Sequence, residues 1–198
     1  VTLQPDGKLI VTGAMFPAGG AMQGVVRLDG AGQLDPSFQP PFIEAPMAVA
    51  LQPDGKMVVA SLYGPPLLQR LQPTGALDPS FVSPTSADPL TFIYGIERYP
   101  NGQFMLYGDF PDLDGLVTPG VARLQPNGPA DPTFLSGISG TINIVTAGLI
   151  QPNQRLLIGG SYNGRGTANA QQLSRTLPNG GPDPAFSTSL LNTNALVT

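Results

Sequence analysis

Two short motifs alternate along this 198-residue chain, four times each and always in the same order. The first reads Gln4-Pro5-Asp6-Gly7-Lys8, Gln52-Pro53-Asp54-Gly55-Lys56, Tyr99-Pro100-Asn101-Gly102-Gln103 and Gln151-Pro152-Asn153-Gln154-Arg155, with its prolines 48, 47 and 52 residues apart. The second starts at Arg27 (RLDGAGQLDPSF), Arg70 (RLQPTGALDPSF), Arg123 (RLQPNGPADPTF) and Arg175 (RTLPNGGPDPAF). A period near fifty residues marks a repeat architecture, in which each unit buries apolar surface against its neighbours. The units run approximately 1–46, 47–92, 93–142 and 143–192, and 193–198 starts like a fifth first strand.

Both motifs are turns with a mechanism. Pro presets φ at the first turn position, Asp or Asn suits the second, and Gly takes the left-handed third position without steric cost. That is a type I turn closing on a bulge, the three-residue hairpin loop. Apolar runs flank it, such as Lys56-Met57-Val58-Val59-Ala60 and Arg155-Leu156-Leu157-Ile158. The turn fixes the register, so cross-strand partners can be counted outwards. The first hairpins predict Leu3/Leu9, Leu51/Met57, Arg98/Phe104 and Ile150/Leu156, and one step further Thr2/Ile10, Ala50/Val58, Glu97/Met105 and Leu149/Leu157. Neighbouring strand positions point to opposite faces, so these strands are expected to be buried on both sides, with Glu97 and Arg98 the exception. The second hairpins predict Leu28/Leu34, Leu71/Leu77, Leu124/Ala130 and Thr176/Pro182.

One step beyond lie Arg27/Asp35, Arg70/Asp78, Arg123/Asp131 and Arg175/Asp183, a constant spacing of eight. Opposed charges on antiparallel strands contribute roughly 0.2–1 kcal/mol. These pairs are expected to be structural, one per unit, and to cost little when broken if they lie at the surface. Phe38, Phe81, Phe134 and Phe186 follow each Asp-Pro and are expected to anchor that end in the core.

Two hairpins per unit make a four-stranded antiparallel sheet. The expectation is an all-β fold, a β-propeller of four such blades of about fifty residues, or a segment of a longer array. A solenoid would use parallel coils rather than tight hairpins, and a sandwich has no reason for so strict a period. The tail Asn194–Thr198 resembles the strand Met47–Ala50 that Val1–Leu3 already supplies for the first unit, which favours continuation of the array over a latched ring.

QPDGK, an apolar run and Gly, followed by RL-x-x-x-G-x-x-DPSF, resembles the delta-60 repeat, a β-propeller-type repeat found in tandem in bacterial extracellular and surface proteins. The resemblance covers essentially the whole chain, departing from it in a period nearer fifty and in Gln154, which replaces a turn Gly. It implies secretion or surface display and no catalytic residues.

Composition removes several chemistries. The chain has no Cys and no His, so the usual zinc sites, Ser–His and Cys–His nucleophile systems and disulfides are excluded. Nine basic residues against thirteen acidic ones, without a basic cluster, leave no nucleic-acid footprint. Apolar stretches such as Ile142–Ile150 are too short to span a bilayer. The chain opens at Val1 without a signal peptide, as expected of a processed chain or part of a larger one.

A ligand face is the remaining candidate site. Tyr63, Tyr107 and Tyr162 follow the second strand of their units and, with Asp109, would gather on one face. Tyr94 and Tyr99 could stack on sugars too, but core packing explains such tyrosines equally well. Asp109, Asp112 and Asp114 could form a weak calcium loop, although their spacing is not that of the twelve-residue loop and no Glu follows; a solvated loop is the expectation. Glu97 could line a channel, with solvent at a ring axis the simpler setting. The sequence therefore predicts a non-enzymatic extracellular or cell-surface scaffold, an adhesin-like interaction module without metal or cofactor. Its partner would be a protein or a surface glycan, and it would belong to a larger chain or assembly. A carbohydrate-binding propeller is the alternative, and a glycoside hydrolase resting on Glu97 and Asp109 the weaker one.

Overall fold

The computed structural model describes residues 1–16, 20–134, 144–161 and 171–186. The regular structure in them is all strand. The first unit contributes β1 (Thr2–Leu3), β2 (Leu9–Met15) and β3 (Gln23–Leu28); the second β4 (Pro46–Leu51), β5 (Met57–Ser61) and β6 (Leu68–Leu71). The third contributes β7 (Phe92–Arg98), β8 (Phe104–Asp109), the short hairpin β9 (Asp112–Leu113) and β10 (Leu116–Val117), and β11 (Val121–Leu124). The fourth contributes β12 (Ile144–Ile150), β13 (Leu156–Ser161) and β14 (Gln171–Thr176).

Each unit is an antiparallel meander in the order first, second, third strand. All eight first-hairpin pairs expected from the turn occur, from Thr2↔Ile10 and Leu3↔Leu9 to Leu149↔Leu157 and Ile150↔Leu156. The turn residues close as the motif demands: the Gln4 amide donates to Lys8 O at 2.8 Å and the Gly7 amide to Gln4 O at 3.0 Å, and the other three units repeat both bonds. Gln154 sits at φ 63°, holding the left-handed position that Gly7, Gly55 and Gly102 take in their units.

The fourth strand is where the expectation needs correction. Leu28↔Leu34, Leu71↔Leu77, Leu124↔Ala130 and Thr176↔Pro182 pair as single bridges, not as strands. The Asp-Pro that follows ends the pairing at once, because Pro has no N–H to donate to a ladder. Each blade is thus three strands and a bridging residue. Among the described residues no strand of the fourth unit pairs with the first, and the units follow one another as sheets, the third and fourth joined into one six-stranded sheet by the Ile144↔Asp109 bridge.

The sheets stack face to face. Between the first and second lies a core of Ile10, Val25, Phe38, Ile43, Met57, Val59 and Leu71. Between the second and third lies another that includes Val58, Ala60, Ile93, Phe104 and Leu106, and between the third and fourth a third with Met105, Val121, Val145, Leu156 and Ile158. Alternation along β5 shows why both faces had to be apolar: Met57 and Val59 enter the core behind, Val58 and Ala60 the core ahead. Fully burying such a side chain stabilises by roughly 1.5–3 kcal/mol, so neither face can be left in water cheaply. Of the first strands, β7 packs against both β4 and β12.

Candidate functional site: the inter-unit joint and the loop clefts

The four Arg–Asp pairs form, and they do more than pair. In the second unit the Asp78 amide donates to Arg70 O at 2.8 Å, setting the two residues opposite one another. Arg70 Nε then donates to Asp78 Oδ2 at 2.9 Å and Arg70 Nη2 to Ser80 Oγ at 2.9 Å. The guanidinium lies over Phe81, 5.0 Å from the ring centre. Arg70 and Asp78 are only 8% and 7% exposed, so these are not surface pairs and the small cost expected of surface pairs does not apply. Arg27–Asp35, Arg123–Asp131 and Arg175–Asp183 repeat the geometry at 2.9, 2.8 and 2.6 Å, over Phe38, Phe134 and Phe186.

A third side chain joins each pair. Lys8, Lys56, Gln103 and Arg155, the last residues of the first motif, donate to Oδ2 of Asp35, Asp78, Asp131 and Asp183 at 2.8, 2.9, 2.8 and 2.8 Å. The Lys8 and Ser37 hydrogen bonds hold the Asp35 carboxyl well below the usual carboxylate range, and Lys56 and Ser80 do the same for Asp78. For Asp131 and Asp183 burial pushes upward, but the bonds from Thr133 and Arg123, and from Arg175 and the Ala185 amide, outweigh it. The first motif thus reaches the second within each unit. Sequence reasoning missed this contact, although a donor side chain at the fifth motif position in all four units was its signal.

The remaining guanidinium nitrogen crosses to the next unit. Arg27 Nη1 donates to Pro73 O at 2.7 Å, Arg70 to Pro126 O at 2.9 Å and Arg123 to Pro178 O at 2.8 Å. Just beyond the Phe, the Gln39 amide donates to Thr74 O at 2.8 Å and the Val82 amide to Asn127 O at 2.9 Å. The turn glycine is what lets the chains approach so closely. A Cβ on Gly75 would meet the Pro40 nitrogen at 2.7 Å, and one on Gly128 would meet Val82 O at 1.9 Å. Both glycines also hold positive φ, 92° and 119°. Each RL…G…DPSF motif is therefore both halves of a joint: an arginine that reaches forward, and a turn that receives the arginine from behind.

The other sequence candidates are dispersed. Tyr107 is half-buried between Gly95 and Gly148, where an added Cβ would run into its ring, and burial pushes its hydroxyl pKa up. Tyr99 is buried and Tyr94 lies on β7. Tyr162 lies outside the described residues. Tyr63 is 43% exposed and shares a cleft of about 270 Å³ with Met22, Phe42, Glu44 and Pro46 between the first two units. A larger cleft of about 630 Å³ lies within the second unit, between the β5–β6 loop and the segment that leads to β7, lined by Pro65, Pro66, Leu67, Pro84, Asp88 and Thr91 among others. Tyr107 lines neither of these two clefts.

Asp109 ends β8, where it pairs with Phe92 and bridges to Ile144. Asp114 accepts the amides of Thr85 and Ala130 at 2.9 and 2.8 Å, and Asp112 the amide of Ala87 at 3.1 Å. Asp112 and Asp114 thus tie loop backbones together while Asp114 stays exposed to solvent, and among the described residues no three acidic groups converge as metal ligands. Glu97 is half-buried and accepts the Ile150 amide at 3.0 Å; burial raises its pKa.

The sequence matches the family model described as "Domain of unknown function (DUF5122) beta-propeller" over residues 4–38, 52–81 and 100–134. Each match runs from a first-motif turn to the Phe of a second motif. No curated protein matches the chain. Among solved structures, it is similar to the extracellular domain of BT4673 from B. thetaiotaomicron, described in one structure as a one component system and in another as a hybrid two component system. The TM-score is 0.51 in both, at 21% and 22% identity, over 81% of this chain and 19% of that one. It is also similar to XC5397 of Xanthomonas campestris, a gluconolactonase, with TM-score 0.52 and 17% identity over 80% of this chain and 52% of that one. The chain thus spans about a fifth and about half of these proteins, and the likeness is one of fold.

Proposed function

The chain belongs to the DUF5122 β-propeller family, and from that premise we propose that it is a non-enzymatic extracellular or cell-surface scaffold of the delta-60 type, an adhesin-like module that presents variable loops to a protein partner. The observation that carries this reading is the joint. The repeated motifs close the hairpins, brace the Asp of each unit and, through the arginine, hold one sheet on the next, while the loops Gly13–Gly24, Leu62–Gln69 and Asp109–Gly120 do not repeat. Such a division suits a rigid stack with an adaptable rim. The extracellular setting is supported by the delta-60 resemblance, and the BT4673 neighbour is itself an extracellular domain.

Protease treatment of intact cells expressing the protein tests the location. Loss of the chain from unlysed cells is expected; protection until lysis refutes the surface reading. A glycan partner is the second reading, favoured by the exposed Tyr63 and Phe42 beside Glu44 in one cleft. Glycan-array binding that disappears in Tyr63→Ala would establish it. Turnover of glycosides or lactones by the purified chain, lost in Glu97→Gln, would replace both with an enzyme.

A further inference from the structure

Each joint combines a carboxylate, an aromatic ring and a guanidinium, and the cleft of about 270 Å³ presents the first two without the third. The segment that leads into β4 forms one wall by lying against β3. Gly24 allows that approach, since a Cβ there would run into Ile43 O. Ile43 is buried, and its neighbours Phe42 and Glu44 are exposed on either side of it. Ala45 holds φ 43°, a left-handed backbone uncommon for alanine, and its carbonyl accepts the Leu62 amide at 2.8 Å. That bond brings the next residue, Tyr63, to the same cleft. Phe110, the counterpart of Tyr63 in the third unit, is buried, whereas Tyr63 is 43% and Met22 41% exposed.

Charge shows what the cleft lacks. Among the described residues every lysine and arginine lies at the end of the sheets that carries the two motifs. Lys8, Lys56, Arg155 and the four arginines of the second motif serve the joints, and Arg98 lies beside the β7–β8 turn. The opposite end carries Glu44, Asp88, Asp112 and Asp114. Asp88, Asp112 and Asp114 each accept a backbone amide, whereas among the described residues no hydrogen bond or ion pair reaches Glu44. A cation approaching the cleft therefore meets a carboxylate that the fold does not engage, in a field that favours its approach.

Two rings, a thioether and a carboxylate suit a guanidinium better than an ammonium. The guanidinium is planar and weakly hydrated, and it stacks on an aromatic face while bonding a carboxylate. The chain builds that arrangement itself, as where Arg27 lies 4.8 Å from the Phe38 ring centre and bonds Asp35 at 2.9 Å. The volume falls short of the roughly 300–1,000 Å³ typical of a drug-sized ligand, and fits one side chain. The corresponding cleft one unit on takes no residue from the unit before it, so the repeat geometry puts no part of a preceding unit into this one. We propose that the cleft receives an arginine side chain of a protein partner, its guanidinium resting on Phe42 and Tyr63 and paired with Glu44. This rests on reading the chain as a module that presents its loops to a protein.

Methyl NMR on the full chain, labelled at its five methionines, is the test, with the Met22 signal assigned by Met22→Leu. The probe is acetyl-Gly-Arg-Gly-amide at low salt. It is expected to shift the Met22 methyl saturably with a Kd on the order of 10 mM, the scale of one exposed ion pair and two exposed cation–π contacts. Phe42→Ala, Tyr63→Ala and Glu44→Gln should each weaken binding by roughly two- to fivefold, and Glu44→Lys should abolish it. No saturable shift, an equal shift with citrulline or lysine in place of arginine, or a titration unmoved by Glu44→Lys overturns the proposal. A Met22 shift caused by methyl glycosides and not by the peptide also overturns it and puts the glycan reading in its place. Protease treatment of intact cells separates the two levels. If the chain is lost from unlysed cells but the peptide does not bind, the surface reading stands and the arginine site falls; if the peptide binds but the chain is protected until lysis, the site stands and the surface reading falls.

Discussion

Replacing Arg70 by Ala removes four contacts at once: Asp78 at 2.9 Å, Ser80 at 2.9 Å, Pro126 O at 2.9 Å and the face of Phe81 at 5.0 Å. Taken singly, a hydrogen bond involving a charged group is worth about 1.5–3 kcal/mol, and a desolvated cation–π contact up to about 2 kcal/mol. These values do not add. Asp78 retains Lys56 Nζ at 2.9 Å and the Ser80 amide at 3.0 Å, so its charge is not abandoned. The site also lies near enough to the rim for water to reach Pro126 O. A loss of about 3 kcal/mol results, the lower end of what breaking a buried ion pair costs. Arg70→Lys keeps the charge but cannot serve Asp78, Ser80 and Pro126 together, and should lose about 2 kcal/mol. In a chain of this length 1 kcal/mol moves the melting temperature by roughly 2–4 °C. Calorimetry should therefore place Arg70→Ala some ~6–12 °C below wild type, with urea midpoints falling in step. A shift below about 1 kcal/mol, the value of an exposed pair, would refute the claim that this arginine holds two sheets together.

Gly128→Ala should cost more than Gly32→Ala by about 2 kcal/mol, since both pay for a left-handed backbone but only Gly128 lies against Val82 O; urea denaturation of the two variants gives the difference. Tyr99→Phe should be neutral or stabilising by up to about 1 kcal/mol, because the buried Tyr99 hydroxyl has no hydrogen-bond partner among the described residues; a clear loss by the same assay would show that the hydroxyl is used. Acid should unfold the protein through Asp35, Asp78, Asp131 and Asp183, whose folded pKa values lie below the ordinary one. The unfolded chain then binds protons first, so their contribution is complete above about pH 5 and is lost as pH falls below about 3.9. Glu97, with its raised pKa, acts with the opposite sign. With no histidine to titrate, urea midpoints should be level from about pH 6 to 8 and fall below about pH 4.

Local physics made most of the fold legible. A Pro-Asp-Gly turn leaves a single register open to its flanks, so pairs as far apart as Ala50↔Val58 followed from the turn alone. Double-sided burial followed from uninterrupted runs such as Met57–Ala60. The fourth strand was misjudged because the pairing pattern reaches Leu34 and Leu77, whereas the Asp-Pro immediately after allows only one bridge. At the joint, the Arg–Asp spacing was visible but its burial was not. Burial there comes from the neighbouring unit's turn, some fifty residues on, and no count within one motif contains it. Tyr107 shows the same limit: Gly95 is its partner in the β7–β8 hairpin, but only the packing of β12 beside that hairpin brings Gly148 against its ring.

The registers also divide each unit into two ends. Leu9↔Leu28 lies next to both turns of the first unit, whereas Met15↔Gln23 lies next to the loop that joins β2 to β3. Both motifs, and the joint they build, therefore occupy one end of every sheet. The segments that differ from unit to unit occupy the other, and the residues lining the 630 Å³ and 270 Å³ clefts, Gly64–Leu67 with Ser83–Pro89 and Met22–Gly24 with Phe42–Pro46, belong to those segments. Substitution at the turn end strikes a contact shared by two units and is felt in stability. The loop end is crossed between units by backbone bonds, Leu62 amide to Ala45 O and Ile93 amide to Leu62 O, both 2.8 Å, but not by the arginine joint, so substitution of the cleft-lining side chains there leaves that joint in place. Partner choice in such a chain is therefore to be sought at the loop end, where the sequence does not repeat.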